Sequence, residues 1–183
     1  MFFQQIGFNI HDTMIWLKDT SAFPDTTRYM QAFEYMFVFS KGKPKTVNKI
    51  CDRLNKWYGQ SVHGTNRAKD GSTFRKSNDK KAEVQMYGER FNVWEIPTEK
   101  NNTTGHPAVF PSRLVRDHII SWSNEGDVVL DIFLGSGTTA IEAVKLRRHY
   151  IGFEISPKYF EIAKQRIHEE ESQITIFDVL ERK

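Results

Sequence analysis

The stretch that decides the fold is residues 127–154, DVVLDIFLGSGTTAIEAVKLRRHYIGFE. It opens with the apolar run VVL, which predicts a buried strand that ends at Asp131. A glycine-rich turn follows at residues 135–138, and residues 139–146 then place apolar side chains at helical spacing. A second apolar run at residues 149–153 predicts another strand. The stretch therefore predicts a strand–turn–helix–strand unit.

Such a unit is typical of nucleotide binding, because glycines in the turn let the backbone approach a bound nucleotide closely. Glu154 follows the glycines by about 20 residues, where a carboxylate accepts hydrogen bonds from ribose hydroxyls. The glycine spacing also fits the dinucleotide fingerprint of NAD enzymes, and a glycine turn can serve only to pack a helix on a sheet. Two features favour S-adenosylmethionine: Asp131 can face a cationic cofactor, and little chain follows Glu154 to form a separate substrate domain.

Several motifs resemble those of one enzyme family. DIFLGSGTT at residues 131–139 and YIGFEISPKY at residues 150–159 resemble the cofactor motifs of DNA amino-methyltransferases. The similarity is to the permuted group, in which the catalytic motif precedes the cofactor motif. HPAVFP at residues 106–111 resembles a segment that closes over the methionine end of the cofactor in that group. MIWLK and EYMFVFSK, further upstream, resemble two of its strands, so the resemblance spans nearly the whole chain and is weakest between residues 43 and 93.

The resemblance implies a Rossmann-like α/β methyltransferase fold with S-adenosylmethionine across the carboxyl ends of the strands. It implies ribose contacts from Glu154 and an adenine pocket between apolar side chains such as Phe133 and Ile155. It gives backbone groups near His106, rather than the imidazole, a role at the amino-acid end of the cofactor. The full set of cofactor-binding residues expected on this basis is His106, Pro107, Ala108, Phe110, Asp131, Phe133, Gly135, Ser136, Gly137, Thr138, Glu154 and Ile155.

The implied reaction is methyl transfer to the exocyclic amino group of adenine or cytosine in DNA. The family holds that amino group with Asp, Asn or Ser followed by Pro-Pro and an aromatic residue. The six prolines of this sequence are all isolated from one another, so no residue here is assigned a catalytic role. We expect the motif to lie upstream of Met1, on a missing catalytic strand, or in a second chain. The alternative is an inactive truncated relic that only binds cofactor or DNA.

Length and composition limit the classes of protein to which this sequence can belong. The 183 residues suffice for one domain, and 39% hydrophobic and 27% charged residues are ordinary for a globular protein. The resemblance implies that this domain is a methyltransferase domain, and we expect it to be incomplete at its N-terminus. The single Cys51 excludes an internal disulfide and argues against a cysteine-built metal site. Neither a membrane-spanning run nor a signal-peptide pattern is present, which favours a cytoplasmic protein.

Positive charge is concentrated in one region. Residues 41–90 contain 13 Lys or Arg against 5 Asp or Glu, although the whole chain has a net charge of only +3. Such asymmetry is typical of a surface that meets a polyanion, and a solvated lysine-rich loop is the alternative. With the family resemblance, it predicts a DNA-recognition insertion at residues 41–93 that binds duplex DNA. The expected DNA contacts are Arg75, Lys76, Lys80 and Lys81.

Hydrophobic periodicity outside the central stretch predicts further elements. Strands are expected at residues 13–17, 33–39, 91–96 and 174–177, and helices at residues 47–58, 114–122 and from Pro157 onward.

Overall fold

A computed structural model describes residues 2–20, 26–61, 64–75, 83–100 and 110–181, without the side chains of residue 75 and of residues 174–181. The chain divides into two compact units. Met1–Asn48 and Asn92–Lys183 together form one, which we call the main unit. Lys49–Phe91 forms the other, which we call the inserted unit.

The main unit contains five strands and four helices within the described residues. In chain order they are α1 (Phe2–Gln5), β1 (Asn9–Leu17), β2 (Phe33–Ser40), β7 (Val93–Glu95), α2 (Ser112–Trp122), β8 (Val128–Asp131), α3 (Thr138–Lys145), β9 (His149–Gly152) and α4 (Pro157–Glu181). The inserted unit contributes β3 (Arg53–Leu54), β4 (Thr65–Arg67), β5 (Thr73–Arg75) and β6 (Tyr87–Gly88).

A three-stranded sheet with the order β2-β1-β7 forms the first half of the main unit. β1 is antiparallel to β2 and parallel to β7. Helix α2 packs on one face of this sheet, where Met14, Trp16, Trp94 and Leu114 are buried together. The indole of Trp16 donates a hydrogen bond to the carbonyl of Ile96 (2.7 Å), so the buried N–H is satisfied.

The second half of the main unit is the predicted strand–turn–helix–strand unit, whose elements and order the structure confirms. The prediction that its first strand is buried is wrong: Val128 and Leu130 of β8 are 59% and 60% exposed, because the described helices cover only the other face of the strand pair. β8 and β9 are parallel and in register from Val128 opposite His149 to Asp131 opposite Gly152. Helices α3 and α4 cover one face of this pair, with Ala140, Ile141, Ala163 and Ile167 in the core between them. Parallel strands joined by a helix put their carboxyl ends at the same edge, so the loops after β8 and β9 lie side by side.

The inserted unit differs from the main unit in having only short strands and no buried side chain among its described residues. Two short antiparallel pairs, β3 with β6 and β4 with β5, supply its regular structure. None of its described side chains is buried. Backbone hydrogen bonds, such as the amide of Asn55 to the carbonyl of Met86 (2.9 Å), and ion pairs such as Lys49–Glu89 hold it together. A unit without a buried apolar core gains little from the hydrophobic effect.

Two predictions from periodicity are wrong. Residues 47–58 do not form a helix, because Arg53–Leu54 pairs with Tyr87–Gly88 and a turn follows at residues 56–59. The apolar side chains that suggested the helix, including Leu54 and Trp57, are exposed. Residues 174–177 are not a strand but part of α4, which continues to Glu181. The chain has neither Gly nor Pro after Pro157, so nothing in the sequence ends that helix early.

None of the helices in the described ranges is long and apolar enough to cross a membrane.

Candidate functional site

The first loop of the candidate site follows β8. The carboxylate of Asp131 accepts a hydrogen bond from the amide of Phe133 (2.9 Å), which turns the chain sharply at the end of the strand. Gly135 and Gly137 have φ angles of 56° and 91°, in the left-handed region that favours glycine. A Cβ added to Gly137 would lie 3.0 Å from the Cβ of Ala163, so the turn also lets α3 and α4 approach closely.

Glu154 connects this loop with the loop that follows β9. One carboxylate oxygen accepts a hydrogen bond from the amide of Gly135, and the other accepts one from the amide of Ser156, both at 2.8 Å. The side chain is half-buried. Glu154 therefore fixes the loop after β8 relative to the loop after β9.

Helix α3 begins directly after the glycine turn. Gly137 is its N-cap residue, and no side chain caps the first turn. Residues 134–138 are all buried, so the turn is largely enclosed by the elements around it. Uncapped amides and the helix dipole together favour an anionic group at this position.

Three apolar side chains expected at the site are exposed. Phe133 and Ile155, which follow β8 and β9, are 83% and 99% exposed. Phe110 is also exposed and makes an edge contact with the ring of Trp16, with 6.1 Å between centroids. Exposed large apolar side chains beside a polar turn are suited to stacking on a planar ligand.

The structure thus brings together Asp131, Gly135, Gly137 and Glu154 by hydrogen bonds or adjacency, with Phe133 and Ile155 beside them. His106, Pro107 and Ala108 lie outside the described residues. Among the residues that the structure describes, no group of His, Cys, Asp and Glu could hold a metal ion.

The predicted DNA contacts lie in the inserted unit. Arg75 ends strand β5, opposite Thr65, and Lys76, Lys80 and Lys81 lie outside the described residues. Arg67, a basic residue that the sequence analysis did not single out, is exposed on the other strand of the same hairpin.

Two other cations of the inserted unit are engaged within it. Arg90 forms an ion pair with Asp52, and the guanidinium of Arg53 lies over the ring of Phe91, 4.5 Å from its centroid. These contacts tie β3 to the residues after β6. The Arg90–Asp52 ion pair offsets one positive charge at this side of the unit, whereas Arg53 keeps its charge over the ring of Phe91.

Comparison with known proteins shows one consistent similarity. The sequence profile of a family described as DNA methylase matches residues 1–165. The chain is 51% identical over 175 residues to the orphan methyltransferase M.BamHII of Bacillus amyloliquefaciens, covering 91% of this chain and 65% of that protein. It is 38% identical over 184 residues to the type II methyltransferase M.HpaI of Haemophilus parainfluenzae, covering 98% of this chain and 51% of that protein.

Solved structures agree with these sequence matches. The M1.HpyAVI–SAM complex superposes with a TM-score of 0.59 at 25% identity, over 91% of this chain and 66% of that one. The cytosine-N4-specific PvuII DNA methyltransferase superposes with a TM-score of 0.57 at 19% identity, over 94% and 60% of the two chains, which shows the fold alone. The predicted Rossmann-like methyltransferase fold is confirmed. The chain therefore spans about two thirds of the length of M.BamHII and about half of that of M.HpaI.

Proposed function

Because the chain belongs to the DNA methylase family, we propose that it carries the cofactor-binding and DNA-contacting parts of a DNA amino-methyltransferase. The reaction is transfer of a methyl group from S-adenosylmethionine to the exocyclic amino group of adenine or cytosine. The observation that carries the proposal is Glu154, whose carboxylate joins the loops after two parallel strands at the edge where such folds bind nucleosides. The dehydrogenase alternative fails, because the family match covers residues 1–165.

The described residues fit S-adenosylmethionine in three ways. The uncapped first turn of α3 suits the carboxylate of the methionine end. The Glu154 carboxylate, which lies just after β9, suits ribose hydroxyls, because carboxylate oxygens accept hydrogen bonds and hydroxyls donate them. Phe133 and Ile155 give an exposed apolar surface on which adenine can rest. The proposed contacts of the amino-acid end of the cofactor are His106, Pro107, Ala108 and Phe110. Asp131 is the proposed partner of the cationic side of the cofactor. The turn proposed to lie against the cofactor consists of Gly135, Ser136, Gly137 and Thr138.

The chemistry supplied by the bound cofactor is an electrophilic methyl group on a sulfonium. The target base must leave the DNA stack, because its amino nitrogen is otherwise paired and out of reach. Held by the loops after β8 and β9, S-adenosylmethionine would supply this methyl group to the amino nitrogen, which would give up a proton, and the cofactor would be released as a neutral thioether. The residues that hold the amino nitrogen are not among those identified in this chain, since no two of its prolines are adjacent. We propose that another polypeptide segment supplies them, and that the enzyme acts in the cytoplasm, where bacterial DNA is found.

DNA contact is assigned to residues 41–93. The support is the excess of Lys and Arg in this region and the exposed hairpin β4–β5. Basic side chains of this kind contact phosphates and position the protein on the duplex. A truncated relic that binds cofactor or DNA without turnover is the second candidate, favoured by the isolated prolines.

Calorimetry with the 183-residue chain tests the cofactor assignment. We expect binding of S-adenosylmethionine and of its demethylated product, but not of NAD. Phe133→Ala should weaken the binding of S-adenosylmethionine by tenfold or more, because burying an aromatic side chain against a ligand contributes roughly 1.5–3 kcal/mol. Its stability should not change, because the side chain is 83% exposed.

Ile132→Ala is the matched control, since Ile132 is an exposed neighbour that is not assigned to the site. Equal affinities for wild type and Phe133→Ala would remove Phe133 from the site. Binding of NAD in place of S-adenosylmethionine would refute the proposed cofactor.

A further inference from the structure

Helix α4 carries an arginine that contacts the glycine turn. The face of α4 that packs in the core includes Ala163 and Ile167, both buried. Arg166 lies between them in sequence and is half-buried. Its guanidinium donates a hydrogen bond to the carbonyl of Ser136. Arg166 therefore reaches from α4 to the turn that joins β8 to α3.

This hydrogen bond fixes one peptide group of the turn on both of its sides. The peptide between Ser136 and Gly137 donates its N–H to the carbonyl of Leu134 (3.0 Å), which closes a β-turn. Its carbonyl accepts the hydrogen bond from Arg166. Ser136 and Gly137 are both buried, and a buried carbonyl without a donor is costly. The contact with Arg166 therefore favours one orientation of this peptide, with its carbonyl directed to the guanidinium.

Arg166 also brings a positive charge to the turn. Burial lowers the pKa of Arg166 and Glu169 favours its charged form, and an arginine stays protonated near neutral pH. The carboxylate of Glu169 accepts a hydrogen bond from the amide of Gln165 (3.0 Å) and, within the described residues, forms no ion pair with Arg166. A charge that is partly removed from water is screened less. Arg166 thus adds positive potential where α3 begins.

We propose that Arg166 is a positioning residue of the cofactor site. It holds the Ser136 carbonyl, and its charge acts together with the uncapped first turn of α3 to favour the carboxylate at the amino-acid end of S-adenosylmethionine. Without this hydrogen bond the carbonyl oxygen could turn toward the ligand, where its partial negative charge would repel the carboxylate. The inference rests on the proposed function, because it takes this turn as the place where the amino-acid end binds.

The test compares two ligands that differ only in the carboxylate, S-adenosylmethionine and its decarboxylated analogue. Calorimetry on the 183-residue chain measures the affinity of each. The wild type should bind S-adenosylmethionine more tightly by about tenfold, because the turn favours an anion. In Arg166→Met this preference should fall to about twofold or less, since the variant loses the charge and the hydrogen-bond donor. Arg166→Lys keeps a cation and a donor and should restore most of the preference.

The ratio of the two affinities separates positioning from a purely structural role. A turn that is merely loosened would bind both ligands more weakly and leave their ratio unchanged. Arg148→Gln is the matched control, because Arg148 is also half-buried and donates hydrogen bonds to the backbone carbonyls of Ser123 (2.8 Å) and Leu146. It lies just before β9, at the end of the strand away from the site. Its replacement should lower the melting temperature but keep the wild-type ratio.

The outcomes distinguish this inference from the proposed function. Equal affinities of the wild type for the two ligands would overturn the inference, as would a preference that Arg166→Met leaves intact. A loss of preference that Arg148→Gln reproduces would leave Arg166 with a structural role only. If Arg166→Met does not fold, Arg166→Gln, which keeps a neutral donor, is measured in its place and should also lose most of the preference. Failure of the wild type to bind S-adenosylmethionine at all would count against the proposed function instead.

Discussion

Replacing Gly137 by alanine tests whether the glycine turn is required by its backbone conformation and by close packing. Gly137 has a φ angle of 91°, and an alanine in the left-handed region costs roughly 1–2 kcal/mol. Loss of unfolded-state entropy returns about 0.4–1 kcal/mol. The new Cβ would also lie 3.0 Å from the Cβ and 3.1 Å from the Cα of Ala163. Overpacking of this kind costs roughly 1–3 kcal/mol, so the expected total is about 2–4 kcal/mol.

Gly126→Ala is the matched control. Gly126 also has a left-handed φ angle, 82°, but no atom lies within 4 Å of its added Cβ. Its replacement should cost only the conformational part, about 1 kcal/mol. Urea unfolding of both variants and of wild type measures the difference, which we expect to be about 1–3 kcal/mol. Equal losses in the two variants would refute the claim that the turn holds α3 against α4.

Two further predictions concern pH and salt. Burial lowers the pKa of His118, whose Nδ1 accepts a hydrogen bond from the indole of Trp122 (3.3 Å). The folded protein therefore binds fewer protons than the unfolded chain below the ordinary histidine pKa of about 6.5, so stability should fall as pH drops through that value. The fall should be smaller in His118→Gln, and an equal fall in urea unfolding would contradict the assignment. The second prediction concerns the four predicted DNA contacts, Arg75, Lys76, Lys80 and Lys81. Neutralising all four together should make DNA affinity fall less steeply as salt is added, because fewer phosphate contacts are then lost. Fluorescence anisotropy measures this slope, and an unchanged slope would show that these residues form only a solvated surface.

The central strand–turn–helix–strand unit could be predicted because its local signals agree with one another. The apolar run before Asp131, the glycines of the turn and the helical spacing after them all indicate the same unit. Glu154 could be placed at the strand end by spacing. Its hydrogen bonds to the amides of Gly135 and Ser156 could not, because they depend on the packing of two loops.

The two wrong predictions, the helix at residues 47–58 and the strand at residues 174–177, have a common physical reason. Helical spacing at residues 47–58 misled because those side chains are not buried, so long-range pairing of Arg53–Leu54 with Tyr87–Gly88 decides the backbone. At residues 174–177 a β-branched run was too short to interrupt α4. Local propensity is a weak guide where tertiary pairing or helix continuation competes with it.

The central claim, that this chain binds S-adenosylmethionine at the turn after β8, is tested most directly by photo-crosslinking. The 183-residue chain is irradiated with methyl-labelled S-adenosylmethionine, and the labelled peptides are mapped by mass spectrometry. We predict that the label lies within residues 106–111, 131–139 or 150–159, and that the demethylated product competes for labelling while NAD does not. Label confined to other peptides, or competition by NAD alone, would contradict the claim.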